Sequence, residues 1–206
     1  MKHKNLLSLA AAVCLTTAVA LPASAYDAGD WTFKAGLTNV DPEQTNGDTA
    51  VGELVIDDDS SLSLLGSYFV ADNVAIELLA SLPFEHDWTV GGLVGGSVQH
   101  LPPTLSLQYY FNNNSPFVPY VGLGLNYTIF FSEEAFGDLA GANVDIEDSF
   151  GIAAQVGADY NFTDQLFMNL DVRYIQIESD VKVNGTVIGE AEINPLVVGI
   201  NVGYRF

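Results

Sequence analysis

The strongest constraint on this chain is a period of two that recurs eight times along it. Stretches 30–40, 61–71, 74–84, 101–111, 118–131, 148–162, 166–177 and 195–206 each carry large apolar side chains on alternate residues. Successive side chains of a strand point to opposite faces, so each stretch reads as a strand with one greasy face. The last is the clearest. Leu196, Val198, Ile200, Val202, Tyr204 and Phe206 alternate with Val197, Gly199, Asn201, Gly203 and Arg205, up to the final residue. Most stretches are near the roughly 9–11 residues that a tilted strand needs to cross a bilayer. No helical period of useful length competes with them.

The connections alternate between short and long. Asp72-Asn73, 112–116 and 163–165 are short and rich in turn-forming residues. Segments 41–60, 85–100, 132–147 and 178–194 are long. Short turns on the side of both chain ends and long loops opposite are the layout of an outer-membrane barrel. The predicted fold is therefore all-β: an eight-stranded antiparallel transmembrane β-barrel over 26–206, with short periplasmic turns and long extracellular loops. Stretch 195–206 is expected to pair with both 166–177 and 30–40, which closes the barrel. Tyr204 and Phe206, aromatic at the terminus, read as the signal for the barrel-assembly machinery. Asn184-Gly185, flanked by Val183 and Val187, is a hairpin signal inside the fourth long loop.

Residues 1–25 have the form of a secretory signal peptide. Lys2 and Lys4 precede a short apolar run, and Ala23-Ser24-Ala25 offers a cleavage site before Tyr26. Cys14, the sole cysteine, lies within it, so 26–206 has no thiol for a disulfide or a nucleophile. Lys34, Arg173, Lys182 and Arg205 are then left against 26 acidic residues. That balance excludes a nucleic-acid partner, because the phosphate backbone demands a basic surface. Yet the sequence is 49% apolar and only 16% charged, so the charge must be segregated from the apolar surface.

Most of the acids fall in the long loops, Asp57, Asp58 and Asp59 forming the densest run. They read as a solvated rim, or as a divalent-cation site bridging to lipopolysaccharide phosphates. A soluble barrel would point its greasy face inward and need charges along its outer strands. Here the other face is mostly glycine and small polar residues, so the greasy face is assigned to lipid. That leaves Lys34, Glu77, Asp159, Asp171, Arg173 and Arg205 pointing inward, three bases against three acids. Buried charges must be paired, so an ion cluster across the lumen is expected. Leu65, Phe69, Leu79, Phe130, Ile175 and Ile177 also point inward by parity, mostly towards the long loops. An apolar ligand entering from outside would suit them, and so would ordinary filling of a small barrel.

Two patterns hint at other chemistry. His86 and His100 lie near Ser81, Ser97, Glu85 and Asp87, so a serine–histidine–acid site at the outer mouth is conceivable. The bland reading places both histidines at strand ends. Gly91-Gly92 and Gly95-Gly96 lack the lysine and the helix of a phosphate loop and read as a flexible gate. No cofactor or metal is implied.

Several segments resemble the outer membrane protein W family. They are Trp31-Thr-Phe-Lys-Ala-Gly36, Asn73-Val-Ala-Ile-Glu-Leu-Leu-Ala80 running into Pro83-Phe84-x-His86, and His100-Leu-Pro-Pro-Thr-Leu105 running into Gln108-x-Tyr110-Phe111. Further on are Pro119-Tyr-Val-Gly-Leu-Gly-Leu-Asn-Tyr127, Phe130-Phe131, Gln155-Val-Gly-Ala-Asp-Tyr160 and Gly203-Tyr-Arg-Phe206. The resemblance implies a monomeric barrel in the bacterial outer membrane, in contact with lipid and lipopolysaccharide. It also implies a hydrophobic channel that passes small hydrophobic molecules and lets them leave sideways through the wall. The sequence offers a physical route for that exit. Pro83 cannot donate to the ladder, and Pro102-Pro103 begins the facing strand. An opening bounded by Pro83, Phe84, Leu101, Pro102 and Pro103 is expected. A barrel with a plugged lumen, serving as an anchor or adhesion surface, is the competing expectation.

Overall fold

A computed structural model describes residues 26–43, 47–49, 52–113, 115–136 and 140–206. Residues 1–25, read above as a signal peptide and holding Cys14, lie outside the described residues. Among the described residues fifteen strands follow one another: β1 Trp31–Asp41, β2 Asp48–Thr49, β3 Gly52–Ile56, β4 Asp59–Ala71, β5 Val74–Ser81, β6 Phe84–Val90, β7 Leu93–Leu101 and β8 Thr104–Tyr110. Then come β9 Phe117–Ala135, β10 Val144–Ile146, β11 Ser149–Asn161, β12 Leu166–Ile175, β13 Glu178–Val183, β14 Thr186–Glu192 and β15 Leu196–Arg205.

Eight of them form the barrel, in the order β1-β4-β5-β8-β9-β11-β12-β15, with β15 returning to β1. Every neighbour is antiparallel. The closing strand pairs Tyr204 with Phe33 on one side and with Leu166 on the other, so the predicted closure holds. Closure matters physically, because a bilayer offers no water to an unpaired strand edge.

The long extracellular connections hold further strands, of which the sequence reading foresaw only the hairpin within 178–194. Segment 85–100 is mostly the hairpin β6–β7, and 178–194 is mostly the hairpin β13–β14. The second was signalled by Asn184-Gly185, whose φ values of 51° and 79° are those of a tight hairpin turn. Together with β2, β3, β10 and the upper part of β9 they raise a second tier above the barrel. Polar outward residues mark the change of medium: Leu78 and Leu82 are exposed on the barrel, whereas Glu85 and Asp87 are exposed on β6.

The outer face of the lower tier is apolar nearly throughout. Leu123 is 72% exposed and Phe150 69%. Aromatic residues form a girdle at its periplasmic edge, where Trp31 packs on Tyr68, Tyr109 on Phe111 and Tyr160 on Phe162. Phe206 belongs to this girdle. Its N–H donates to the Trp31 carbonyl at 2.9 Å, and its ring meets Phe33 and Tyr204 edge-on. These are few contacts, so deleting Phe206 should cost the folded barrel little and outer-membrane assembly much. Normal accumulation of the truncated protein in outer-membrane fractions would refute the assembly role.

Candidate functional site: a layered lumen

Three layers fill the lumen. The lowest is aromatic. Tyr26 stacks on Phe69 with centroids 4.5 Å apart and touches Tyr110 at 4.8 Å, and Tyr110 stacks on Tyr120 at 4.7 Å. All four are buried. Tyr26 was not expected here. It folds back under the barrel, and its hydroxyl donates to Asp159 at 2.6 Å.

The second layer is the ion cluster. Glu77 on β5 receives Lys34 of β1 at 2.5 Å and Arg173 of β12 at 3.0 Å, and Arg173 also pairs with Asp171 at 3.1 Å. Tyr120 donates to Asp171 at 3.0 Å, Asn169 to the Tyr120 hydroxyl at 3.0 Å, and Asn169 to Asp159 at 2.7 Å. One network thus joins five strands across the lumen and links it to Tyr26. Arg205 lies outside it. Its guanidinium is 4.0 Å from Asp30 and sits over the Tyr26 ring, at the periplasmic mouth. The reason is position: residue 205 is at the lower end of β15, opposite Thr32, two residues short of Lys34.

The third layer is apolar and belongs mainly to the upper tier. Phe84, Phe130, Ile175 and Ile177 join Val40, Trp88, Val98 and Ile193 in one buried cluster. Leu65 and Leu79 are buried as well, but they pair with each other lower in the wall, next to Lys34. Within the upper cluster is a cavity of about 120 Å³, lined by Leu54, Ile56, Trp88, Val90, Val98, Val144, Val181 and other apolar side chains. An apolar cavity of about 150 Å³ holds a benzene molecule, and this one is somewhat smaller. Most of these residues were missed in the sequence, although Phe84, His86, Trp88 and Val90 alternate with Glu85, Asp87 and Thr89 as plainly as any membrane strand. Gly95 and Gly96 are in β7 and seat the Trp88 indole. A Cβ at Gly95 would come within 2.0 Å of that ring. They are a packing surface, and the gate reading of the glycines is corrected there.

The wall is interrupted beside this layer. The β5–β8 ladder ends at Leu79 opposite Thr104, and pairing resumes only at Phe84 opposite His100. Residues 80–83 therefore face the shorter run 101–103, and no backbone pairing joins the two among the described residues. Each edge is held from its other side. Leu82 donates to the Leu62 carbonyl at 2.9 Å, and Tyr127 to the Pro103 carbonyl at 3.1 Å. The extra residue also flips parity: Leu82 points outward and Phe84 inward, two residues apart. Pro83 is exposed, Pro102 is buried, and Leu101 and Pro103 are half-buried along the break.

His86 and His100 are buried and stacked on each other, 4.9 Å between centroids and 5° between planes. Glu85 and Asp87 point away on the outer face, so these two acids do not join the histidines in a serine–histidine–acid array. Asp58 accepts from Asn39, and Asp59 accepts the Glu85 N–H at 2.9 Å. Among the described residues no group of three or more histidine, aspartate or glutamate side chains converges as metal ligands do.

The model of the OmpW family matches residues 27–206. The chain belongs to the OmpW family. Outer membrane protein W of Vibrio cholerae is 37% identical over 98% of this chain and 99% of its own length. Outer membrane protein AlkL of Ectopseudomonas oleovorans is 30% identical over 88% of this chain and 84% of its own. Among solved structures, the crystal structure of the outer membrane protein OprG from Pseudomonas aeruginosa superposes with a TM-score of 0.80 at 33% identity, covering 89% of this chain and 99% of OprG. This member of the OmpW family is accordingly an outer-membrane β-barrel. Its apolar outer band and aromatic girdle are the physical counterpart of that location.

Proposed function

We propose that the barrel is a non-catalytic conduit. It takes small hydrophobic molecules from outside into the apolar upper chamber and releases them sideways through the break beside Pro83. The observation that carries this reading is the wholly apolar cavity above a lumen closed by an ion cluster and four aromatic rings. A molecule in that cavity meets charge below it and an unpaired stretch of wall beside it. The route of least cost for an apolar solute leads into the bilayer and avoids the polar plug. The acidic upper rim would face lipopolysaccharide, and the chain would act as a monomer, since its β-sheet closes on itself.

The test is uptake of a small apolar dye into liposomes. Wild type is expected to exceed empty liposomes, and Phe130→Asp, which sets a charge in the chamber, to fall by at least about tenfold, the cost of a desolvated carboxylate. The plugged lower lumen also favours a second reading, a barrel that only anchors its upper tier as a surface for contacts. Wild-type uptake no faster than empty liposomes would establish that reading in place of the first.

A further inference from the structure

A column of rings stands between the apolar cavity and the break beside Pro83. On β6 the inward residues run Phe84, His86, Trp88 from the break upward, and on β7 His100 stands across from Phe84 and Val98 across from His86. Trp88 and Val98 line the cavity, and the two histidines lie beyond them, closed off from it. The His86 and His100 rings are parallel, with centroids 4.9 Å apart. His100 is also wedged against Phe84 at 5.5 Å and Phe130 at 5.8 Å.

Two rings of this column are titratable, although phenylalanine would fill the same places without burying a bare nitrogen. Nε2 of His86 and Nε2 of His100 are buried, and neither has a hydrogen bond within the protein. Nδ1 of His86 is 2.6 Å from the Asp57 carbonyl oxygen. A carbonyl only accepts, so Nδ1 carries the ring's one hydrogen and a second proton must go on Nε2. There it would be a buried donor on a charged ring with no acceptor, which is costly. With both rings charged, two like charges would also face each other across the stack.

The surrounding charges do not remove that cost. Burial pushes the His86 pKa down, and the Asp57 carbonyl with the charges of Asp59, Asp58 and Asp57 pulls the other way without outweighing it. For His100 burial is again the larger cause and His86 the second, and its pKa falls to about 3. Phe84 and Phe130 bring no charge, and Glu85 and Asp87 stand on the outer face of β6.

We propose that the stacked pair His86–His100 is an acid-operated gate between the chamber and the break in the wall. Neutral rings keep the column closed. A charged ring finds water for its Nε2–H only by leaving the stack, and the hairpin base can yield there because the wall below Phe84 and His100 is unpaired. The gate rests on the conduit reading above and adds its regulation. Closure is fully stable above about pH 6.5, the ordinary imidazole value, and loses ground as the pH falls below it. One ring released to water shifts the balance towards the open form about thirtyfold between about pH 7.5 and about pH 5.

Trp88 is two residues from His86, and its fluorescence reports on the column when the lipid-facing Trp31 is replaced by phenylalanine. In lipid vesicles the W31F protein should show a step in Trp88 emission on acidification, and the W31F/H86F/H100F protein should lose it. The same step at the same pH in both proteins overturns the gate. Uptake of a non-ionisable apolar dye into liposomes is the second readout. Between about pH 7.5 and about pH 5 wild-type uptake should rise about tenfold or more, and H86F/H100F uptake by less than about twofold. Equal rises overturn the gate and leave the conduit standing, since acid would then act elsewhere, as on the carboxylates of the rim. No wild-type uptake at either pH overturns the conduit reading, and the switch itself then stands or falls by Trp88. Heat-dependent gel mobility shows whether the variants are folded. Should the double replacement not fold, H100F is used in its place, and an undiminished step and rise overturn the gate.

Discussion

Replacing Glu77 with leucine is expected to destabilise the barrel by about 3–5 kcal/mol, the usual cost of breaking a buried ion pair from one side. Glu77 is the hub of the lumen. Lys34 at 2.5 Å and Arg173 at 3.0 Å both reach its carboxylate, and all three side chains are shut off from solvent. Leucine would take away the carboxylate that the Lys34 ammonium pairs with and leave it only the more distant charges of Asp159 and Asp171. Arg173 would keep Asp171. Removing both sides of a buried pair costs far less than removing one, so adding Lys34→Met to Glu77→Leu should recover much of the loss. Urea unfolding in lipid vesicles, followed by tryptophan fluorescence, measures both. A single-variant loss below about 1 kcal/mol, the scale of an exposed pair, would show that the cluster does not hold the barrel together.

The membrane tier was legible because one rule governs it. Each wall strand has lipid on one side and a narrow lumen on the other, so a period of two runs unbroken and its parity is readable residue by residue. The same rule found the inward Lys34, Glu77 and Arg173. It failed where a boundary condition changed. Above the membrane the outer face turns polar, so 85–100 and 178–194 lost the greasy stripe that marks a strand, although their alternation continued. The chamber residues Trp88, Val90, Val144 and Val181 were hidden for that reason. At Pro83 one extra residue reverses parity, and no count along a single strand reveals it without the facing strand's count. Tyr26 was hidden differently: a lone aromatic ahead of the first strand has no period to join. Arg205 was assigned to the right face and the wrong height, because parity gives a side and not a level.

The break beside Pro83 makes the second large effect. If solutes leave through the wall, bridging its two edges should stop them. The β5–β8 register, continued past Leu79 and Thr104, would set Leu82 across from Leu101. Residues 26–206 hold no native cysteine, so Leu82→Cys with Leu101→Cys is an unambiguous pair for a disulfide or a short bismaleimide. The bridged protein should take up apolar dye at least about tenfold more slowly than either single-cysteine variant, a barrier increase of about 1.4 kcal/mol or more. Reduction of the disulfide form should restore the rate. Neither substitution touches the cavity lining or the ion cluster, so a slow rate would locate the exit and not the binding site. Full uptake by the bridged barrel would mean that solutes leave elsewhere. The way down through the lumen runs past Glu77, Arg173 and the rings of Tyr26 and Tyr110. The Glu77→Leu and bridged proteins therefore separate the two routes: loosening the plug should leave dye uptake unchanged if the wall is the exit, and raise it if the plug is the barrier.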